Sequence, residues 1–147
     1  MRFHMNDCIF CKIIKGEIPA NKIYEDNQVI AILDHRPVRK GHAMIMPKKH
    51  VNHFIDLDDK LAAHICKVGN TLGKKIQIAL NPKRVGFVVA GFGVPHAHYH
   101  VIPMHEEQDI TSSQYASIDK GQIMYSMDHI PIADEADQKK LVELLKI

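Results

Sequence analysis

The chain predicts an α+β domain, a mostly antiparallel five-stranded sheet with one long helix and short helices near its two ends. Three observations carry that reading. Apolar residues at Leu57, Leu61, Ile65, Val68, Leu72, Ile76 and Leu80 recur every three or four positions, the period of a helix with one buried stripe. Short runs rich in Ile, Val and Tyr, such as "NKIYED", "QVIAILD" and "VGFVV", read as strands. The segments between most of these runs are short and turn-like, which suits antiparallel pairing.

Taken in order, "CIFCKIIKGE" sets apolar residues at helical spacing and stops at Gly16. It predicts a short helix over 7–15 with Asp7 as its cap, and Pro19 marks the break. "NKIYED" and "QVIAILD" form a hairpin, and "GHAMIMPK" supplies a third strand on which His42, Met44 and Met46 share one face. The loop "DHRPVRKG" joins the second strand to the third. The long helix follows from about Asp56 and ends at "NPKR". Its Lys60, Lys67, Lys74 and Lys75 fall off the apolar stripe as a solvated face, and Cys66 is expected as a small buried hydrophobe. "VGFVVAGFG" and "HAHYHVIP" read as two further strands joined by a tight glycine-flanked turn. Residues 104–130 show no sustained period and read as irregular, before a last helix over 134–146 carrying Leu141, Leu144 and Leu145.

A length of 147 residues suits one domain, here 1–147, and 46% apolar content is that of a globular chain. No window approaches the roughly 18 apolar residues of a membrane span. A net charge of +2 is too small to argue for nucleic-acid or membrane partners. "MRFHMNDC" shows no apolar core of a secretory signal, and three cysteines are a poor basis for a disulfide framework, so a reducing cytoplasm is expected.

Chemistry concentrates in "VPHAHYHVIP". On a strand, His96, His98 and His100 project to one face with neighbours about 7 Å apart. A tetrahedral phosphorus attacked by the middle ring would bring its oxygens to the flanking rings, and neutral imidazole is a credible nucleophile near pH 7. The same spacing also suits metal ligation, and packing alone is a third reading that leaves each buried ring in need of a partner. Cys8-x-x-Cys11 is open to two readings as well: a redox pair, or half of a zinc site. The latter is favoured, since the chain shows no thioredoxin-like pattern.

"HAHYHVIP" resembles the signature of the histidine triad (HIT) family of nucleotide-binding hydrolases and transferases, with Ala97, Tyr99, Val101 and Ile102 at its apolar positions. "CIFCKIIKGEIPANKIYED" and "AILDHRPVRKGHAMIMPKKHV" are similar to the preceding blocks of its Hint-like branch. The resemblance covers about residues 7–103 and leaves 104–147 as a divergent extension.

The resemblance implies a HIT-like fold and a homodimer that binds a purine nucleotide such as AMP or GMP. It implies that His98 attacks the α-phosphorus of nucleoside phosphoramidates or dinucleoside polyphosphates, forming a nucleotidyl-histidine intermediate. His100 would donate to a phosphate oxygen, and His42 would organise the rings. Asp34 would accept both ribose hydroxyls. Ile9, Phe10, Ile13, Ile32 and Leu33 would flank the base, and the N–H groups of Gly93 and Val94 would face the phosphate. Cys8, Cys11, His50 and His96 would hold a structural zinc. Better-known branches carry a glutamine followed by serine or threonine just before the triad, where this chain has Phe92 and Gly93, and Ala90 replaces a common asparagine. That difference motivates a second expectation, a slow or non-catalytic nucleotide-binding regulator. His4, His35, His53, His64, His105 and His129 are expected as solvated surface.

Overall fold

The computed structural model describes residues 8–110, 116–126 and 128–147. Its elements are α1 (Ile9–Ile14), β1 (Lys22–Glu25), β2 (Val29–Leu33), β3 (Ala43–Pro47), α2 (Asp59–Leu80), β4 (Arg84–Val88), β5 (Tyr99–Met104), β6 (Ala116–Asp119), β7 (Gln122–Tyr125) and α3 (Glu135–Leu145). β1 to β5 form one sheet in the order β1-β2-β3-β5-β4, and each neighbouring pair is antiparallel. The expected α+β architecture is therefore present. Among the described residues no helix is long and apolar enough to cross a membrane.

Successive strand residues point to opposite faces, so the sheet has two different sides. Val29, Ala31, Leu33, Ala43, Ile45 and Val101 pack on one side against Leu61, Ile65, Val68, Leu72 and Ile76 of α2 and Leu141 and Leu145 of α3. Ile30, Ile32, Met44 and Met46 face the other side, with Cys8, Phe10 and Cys11 from the α1 region. The helix on the first side is well delimited. The Asp58 side chain accepts the Leu61 N–H at its start, and Asn81 ends it in the left-handed region at φ 48° with its N–H on the Gln77 carbonyl.

Several expectations need correction. Asp7, the expected cap of the first helix, lies outside the described residues, and Cys8 holds the cap position without a capping hydrogen bond from its side chain to the helix. Cys66 is exposed, because it falls between Ile65 and Val68 on the outer side of the helical stripe. β5 begins at Tyr99, with His96 in a bend and Ala97 and His98 outside the strand, the Ala97 N–H donating to the Val51 carbonyl at 2.7 Å. The tight turn is absent: β4 and β5 stop pairing at Val88 and His100, so residues 89–98 form a broad loop. The segment taken as irregular holds the β6–β7 hairpin, with Ile118 opposite Ile123. Its turn is Lys120 and Gly121, both at positive φ (48° and 79°), and Lys-Gly is a weaker sequence signal for that geometry than Asn-Gly. His64 is not simply solvated; its Nε2 lies 2.6 Å from Asp26 Oδ2 and ties α2 to the β1–β2 turn. His105 is half-buried, and His4 lies outside the described residues.

Gly41 closes the loop between β2 and β3 at φ +93°, and a Cβ there would lie 2.4 Å from Leu80 Cδ1 and 3.5 Å from Leu145 Cδ1. Both the backbone and the space favour glycine. Gly41→Ala is expected to lower unfolding free energy by about 1–3 kcal/mol. Urea titration followed by far-UV circular dichroism checks this, and an unchanged midpoint would contradict it.

Candidate active site

The second side of the sheet gathers the histidines. His42 lies just before β3, His100 lies on β5 opposite Met44, and the two strands are neighbours. Burial, aided by the nearby His100 and His98, holds the pKa of His42 down at about 3. Burial and His98 likewise hold His100 at about 4. Both rings are therefore neutral near pH 7, and a neutral imidazole has one N–H donor and one lone-pair acceptor.

That rule assigns each nitrogen. The Val38 N–H donates to His42 Nδ1 at 3.2 Å, so the hydrogen of His42 sits on Nε2. His42 Nε2 in turn donates to His100 Nδ1 at 2.9 Å, which leaves His100 with an N–H at Nε2. His98 Nδ1 donates to the His96 carbonyl at 2.7 Å, so its lone pair is on Nε2. His96 Nε2 donates to the Pro47 carbonyl at 2.8 Å and keeps a lone pair on Nδ1. The bend at His96 also changes the spacing expected for a flat strand. His98 and His100 lie 4.9 Å apart by ring centroid, nearly perpendicular, and the Phe10 ring meets His98 edge-on at 5.2 Å.

His96 Nδ1 faces Cys8 Sγ and Cys11 Sγ, each at 3.5 Å, and His50 Nδ1 is 3.2 Å from Cys11 Sγ. The four donor atoms lie within 4.8 Å of one another. The donor set fits a tetrahedral Cys2His2 ion such as zinc, with His96 already oriented by its second nitrogen. Burial and the adjoining Cys8 push the Cys11 thiol up to about 11, so a cation is needed to hold Cys11 as a thiolate.

Asp34, Oδ1 of which accepts the Arg36 N–H at 2.8 Å, continues from β2 on the same side as Ile32 and is buried. Its Oδ2 stands 3.7 Å from His42 Nε2, and burial raises its pKa above the usual carboxylate value. Asp34, His42 and His100 also place ligand atoms within 4.8 Å. The Val38 donor argues against a metal there, since it obliges His42 to present a hydrogen rather than a lone pair to the cluster. His96, His98 and His100 do not converge on one point, because His96 turns to the cysteines. The open three-histidine metal reading therefore lacks its geometry.

Phe10, Ile13 and Ile32 lie in the cluster beneath this side, with Val94 packed partly against it. Ile9 is exposed, as is Gly93, and the ring of Phe92 is wholly exposed. Leu33 is a correction: it packs in the helix-side core, because its side chain points opposite to that of Ile32. Residues 34–42 also meet a set of partners from the carboxyl-terminal region that sequence reading missed, including Gln138, whose Nε2 donates to the Asp34 carbonyl at 2.8 Å. Its signal was faint, a single glutamine in an otherwise charged stretch of helix.

The fold and these paired clusters define a histidine-rich α+β class. The HIT domain family model matches residues 15–107, and the chain belongs to the HIT family. An uncharacterized HIT-like protein of Methanocaldococcus jannaschii is 40% identical over 67% of this chain and 80% of its own length. Adenosine 5'-monophosphoramidase hnt1 of Schizosaccharomyces pombe is 38% identical over 69% of this chain and 77% of its own. The crystal structure of a zinc-bound histidine triad family protein from Mycobacterium smegmatis shares the fold with a TM-score of 0.73, at 24% identity, over 97% of this chain and 93% of that one.

Nitrogen-15 spectra should show His42 neutral with its hydrogen on Nε2, and His100 likewise, at pH 7 and still at pH 5. An imidazolium at pH 5 would break the assignment. The stability consequence has a definite sign. A histidine whose folded pKa lies below 6.5 binds its proton more readily when unfolded, so the stability it contributes is full above about pH 6.5. That stability declines progressively as pH falls from about 6.5 to the folded values near 4 and 3.

Proposed function

We propose that the protein is a nucleotide hydrolase or nucleotidyltransferase that works through a nucleotidyl-histidine intermediate, acting on purine nucleoside phosphoramidates or dinucleoside polyphosphates. The observation that carries this is the His98 hydrogen bond to the His96 carbonyl, which places the His98 lone pair on Nε2. The neighbouring His100 Nε2–H is a donor by the relay from Val38. A nucleophile beside a donor suits attack on phosphorus with stabilisation of a non-bridging oxygen.

In this reading His98 Nε2 bonds to the α-phosphorus and the bond to the leaving group breaks. Water then cleaves the phosphorus–nitrogen bond. His42 positions His100. Asp34 Oδ2, which accepts no hydrogen bond from Arg36, receives ribose hydroxyls, and Phe10, Ile13 and Ile32 supply apolar surface near the base. The N–H groups of Gly93 and Val94 serve the phosphate. Zinc held by Cys8, Cys11, His50 and His96 is structural: it fastens the α1 region to the segment before β5 that carries His98. The nucleotide is a purine mononucleotide such as AMP or GMP, the assembly a homodimer and the compartment the cytoplasm. The relationship to an adenosine phosphoramidase supports the substrate class.

One observation favours a second reading. Phe92 makes no cover over the site and Gly93 has no side chain, so neither offers a proton to a departing amine. A slow nucleotide-binding regulator would result.

His98→Ala is expected to reduce AMP release from adenosine phosphoramidate by at least about 1,000-fold, with the adenylyl adduct seen by intact mass in the wild type only. Single turnover with tight AMP retention in the wild type would favour the regulator. Zinc separates from this chemistry: Cys8→Ala should lose the metal and melt lower, while His98→Ala keeps a full equivalent. Atomic absorption and thermal melts check both, and zinc lost with His98→Ala would contradict the assignment.

A further inference from the structure

The segment from β2 to β3, residues 34–42, carries Asp34 and His42 at its two ends. The Asp34 N–H donates to the His42 carbonyl at 2.9 Å, closing the segment at its neck. Its outward side is tied almost wholly to residues beyond β5. Arg36 Nη1 donates to the carbonyls of Asp128 at 3.2 Å and Ile130 at 2.9 Å. The Ala133 N–H donates to the His35 carbonyl at 2.8 Å. Arg39 Nη2 donates to Asp109 Oδ1 at 2.8 Å, and Lys40 Nζ pairs with Asp137 Oδ2 at 3.0 Å. Gln138 Nε2 donates to the carbonyl of Asp34 itself at 2.8 Å.

These ties differ in weight. Lys40 with Asp137 is exposed and contributes little. Gln138 is 3% exposed and Asp109 fully buried, so their hydrogen bonds satisfy groups that have no water to fall back on. Asp109 is organised for the purpose, with Oδ2 accepting the N–H groups of His105 and Glu106 while Oδ1 takes Arg39. The charge of Asp109 persists despite burial because Arg39 and these amides hold its pKa below the usual range. Most of the ties come from residues past 107, where the family match ends.

We propose that the carboxyl-terminal extension is a brace that sets the position of the 34–42 segment, with Gln138 and Arg36 as positioning residues for nucleotide binding. This rests on the reading of Asp34 as the ribose acceptor. Gln138 holds the Asp34 backbone from behind, and the Arg36 N–H holds Oδ1 from the side. Oδ2 is then left at a defined place beside His42. The Arg36 side chain fixes the same residue from which that N–H is donated. Neither side chain touches the triad rings. Both act at the Asp34–Arg36 end of the segment, whereas the Val38 N–H that sets the His42–His100 relay lies beyond Pro37. Their loss therefore acts on ribose placement more than on attack at phosphorus, a split between KM and kcat.

The test uses the full chain as wild type, Arg36→Ala, Arg36→Lys and Gln138→Leu. Hydrogen–deuterium exchange without ligand reads the brace independently of any activity. AMP affinity and steady-state kinetics on adenosine phosphoramidate read its effect on binding. Arg36→Ala and Gln138→Leu are expected to speed exchange over residues 34–36, with β2, β3 and the Val38 amide unchanged. They should weaken AMP binding and raise KM roughly tenfold, with kcat within about threefold of wild type. Arg36→Lys, which retains a donor for the two carbonyls, should recover most of the loss. Unchanged exchange in both disruptive variants overturns the brace. Faster exchange with unchanged AMP affinity and KM overturns the positioning role. A wild type that neither binds AMP nor turns over overturns the reading of Asp34, and the functional half of this inference with it, while the exchange data still decide the brace. Should Gln138→Leu fail to fold, Arg36→Ala and Arg36→Lys decide the same questions from a side chain that is only half-buried.

Discussion

A neutral imidazole has one hydrogen and one lone pair, and the rest of this site follows from that limit. Four rings lie buried or half-buried beside one another, and burial disfavours charge on His42, His96 and His100. Each must therefore choose which nitrogen donates, and the backbone makes the choice. Val38 offers an N–H to His42, whereas Pro47 and His96 offer carbonyls to His96 and His98. Three backbone groups thereby give three histidines of one short motif different work. His96 presents a lone pair to the cysteines, His98 keeps one on Nε2, and His100 presents a hydrogen.

The sheet makes such an arrangement affordable. Its helix-facing side is aliphatic and closed by α2 and α3, and it supplies most of the buried apolar surface. The opposite side can then carry polar groups without each of them having to contribute to the core. Its floor of Ile30, Ile32, Met44 and Met46 is apolar all the same, which keeps the dielectric low around the rings and lowers the pKa values of His42 and His100. The cysteine–histidine cluster and the His42–His100 pair stand at the two ends of the triad, so His98 lies between a set of donors that fits a metal ion and a hydrogen-bond relay.

Reading the sequence went furthest where a regular period was present. The stripe from Leu57 to Leu80 gave the long helix, and alternation around His42, Met44 and Met46 gave the correct face of β3. The same alternation places Ala97, Tyr99 and Val101 toward the helix and the triad away from it, although the strand itself starts only at Tyr99. Leu33 was misplaced for want of applying that rule beside Ile32. The β6–β7 hairpin went unseen because its turn uses Lys120 and Gly121 and its strands are four residues each, too short for a clear alternation. Residue type favours burial of Cys66, but its place on the helical wheel, off the apolar stripe, exposes it.

By itself the sequence determined the α+β class, the membership of the triad in one face and the residue types available for metal and phosphate chemistry. Those follow from period and composition, which are local. The tertiary structure alone decided which nitrogen of each ring is free, because the deciding partners, Val38, Pro47 and the His96 carbonyl, are backbone groups with no side-chain signature. It brought Cys8 and Cys11 within reach of His96 across more than eighty positions, a grouping that the family resemblance implied and no local pattern shows. It alone brought Gln138 to the carbonyl of Asp34, a contact made across |i−j| = 104 that no local pattern announces.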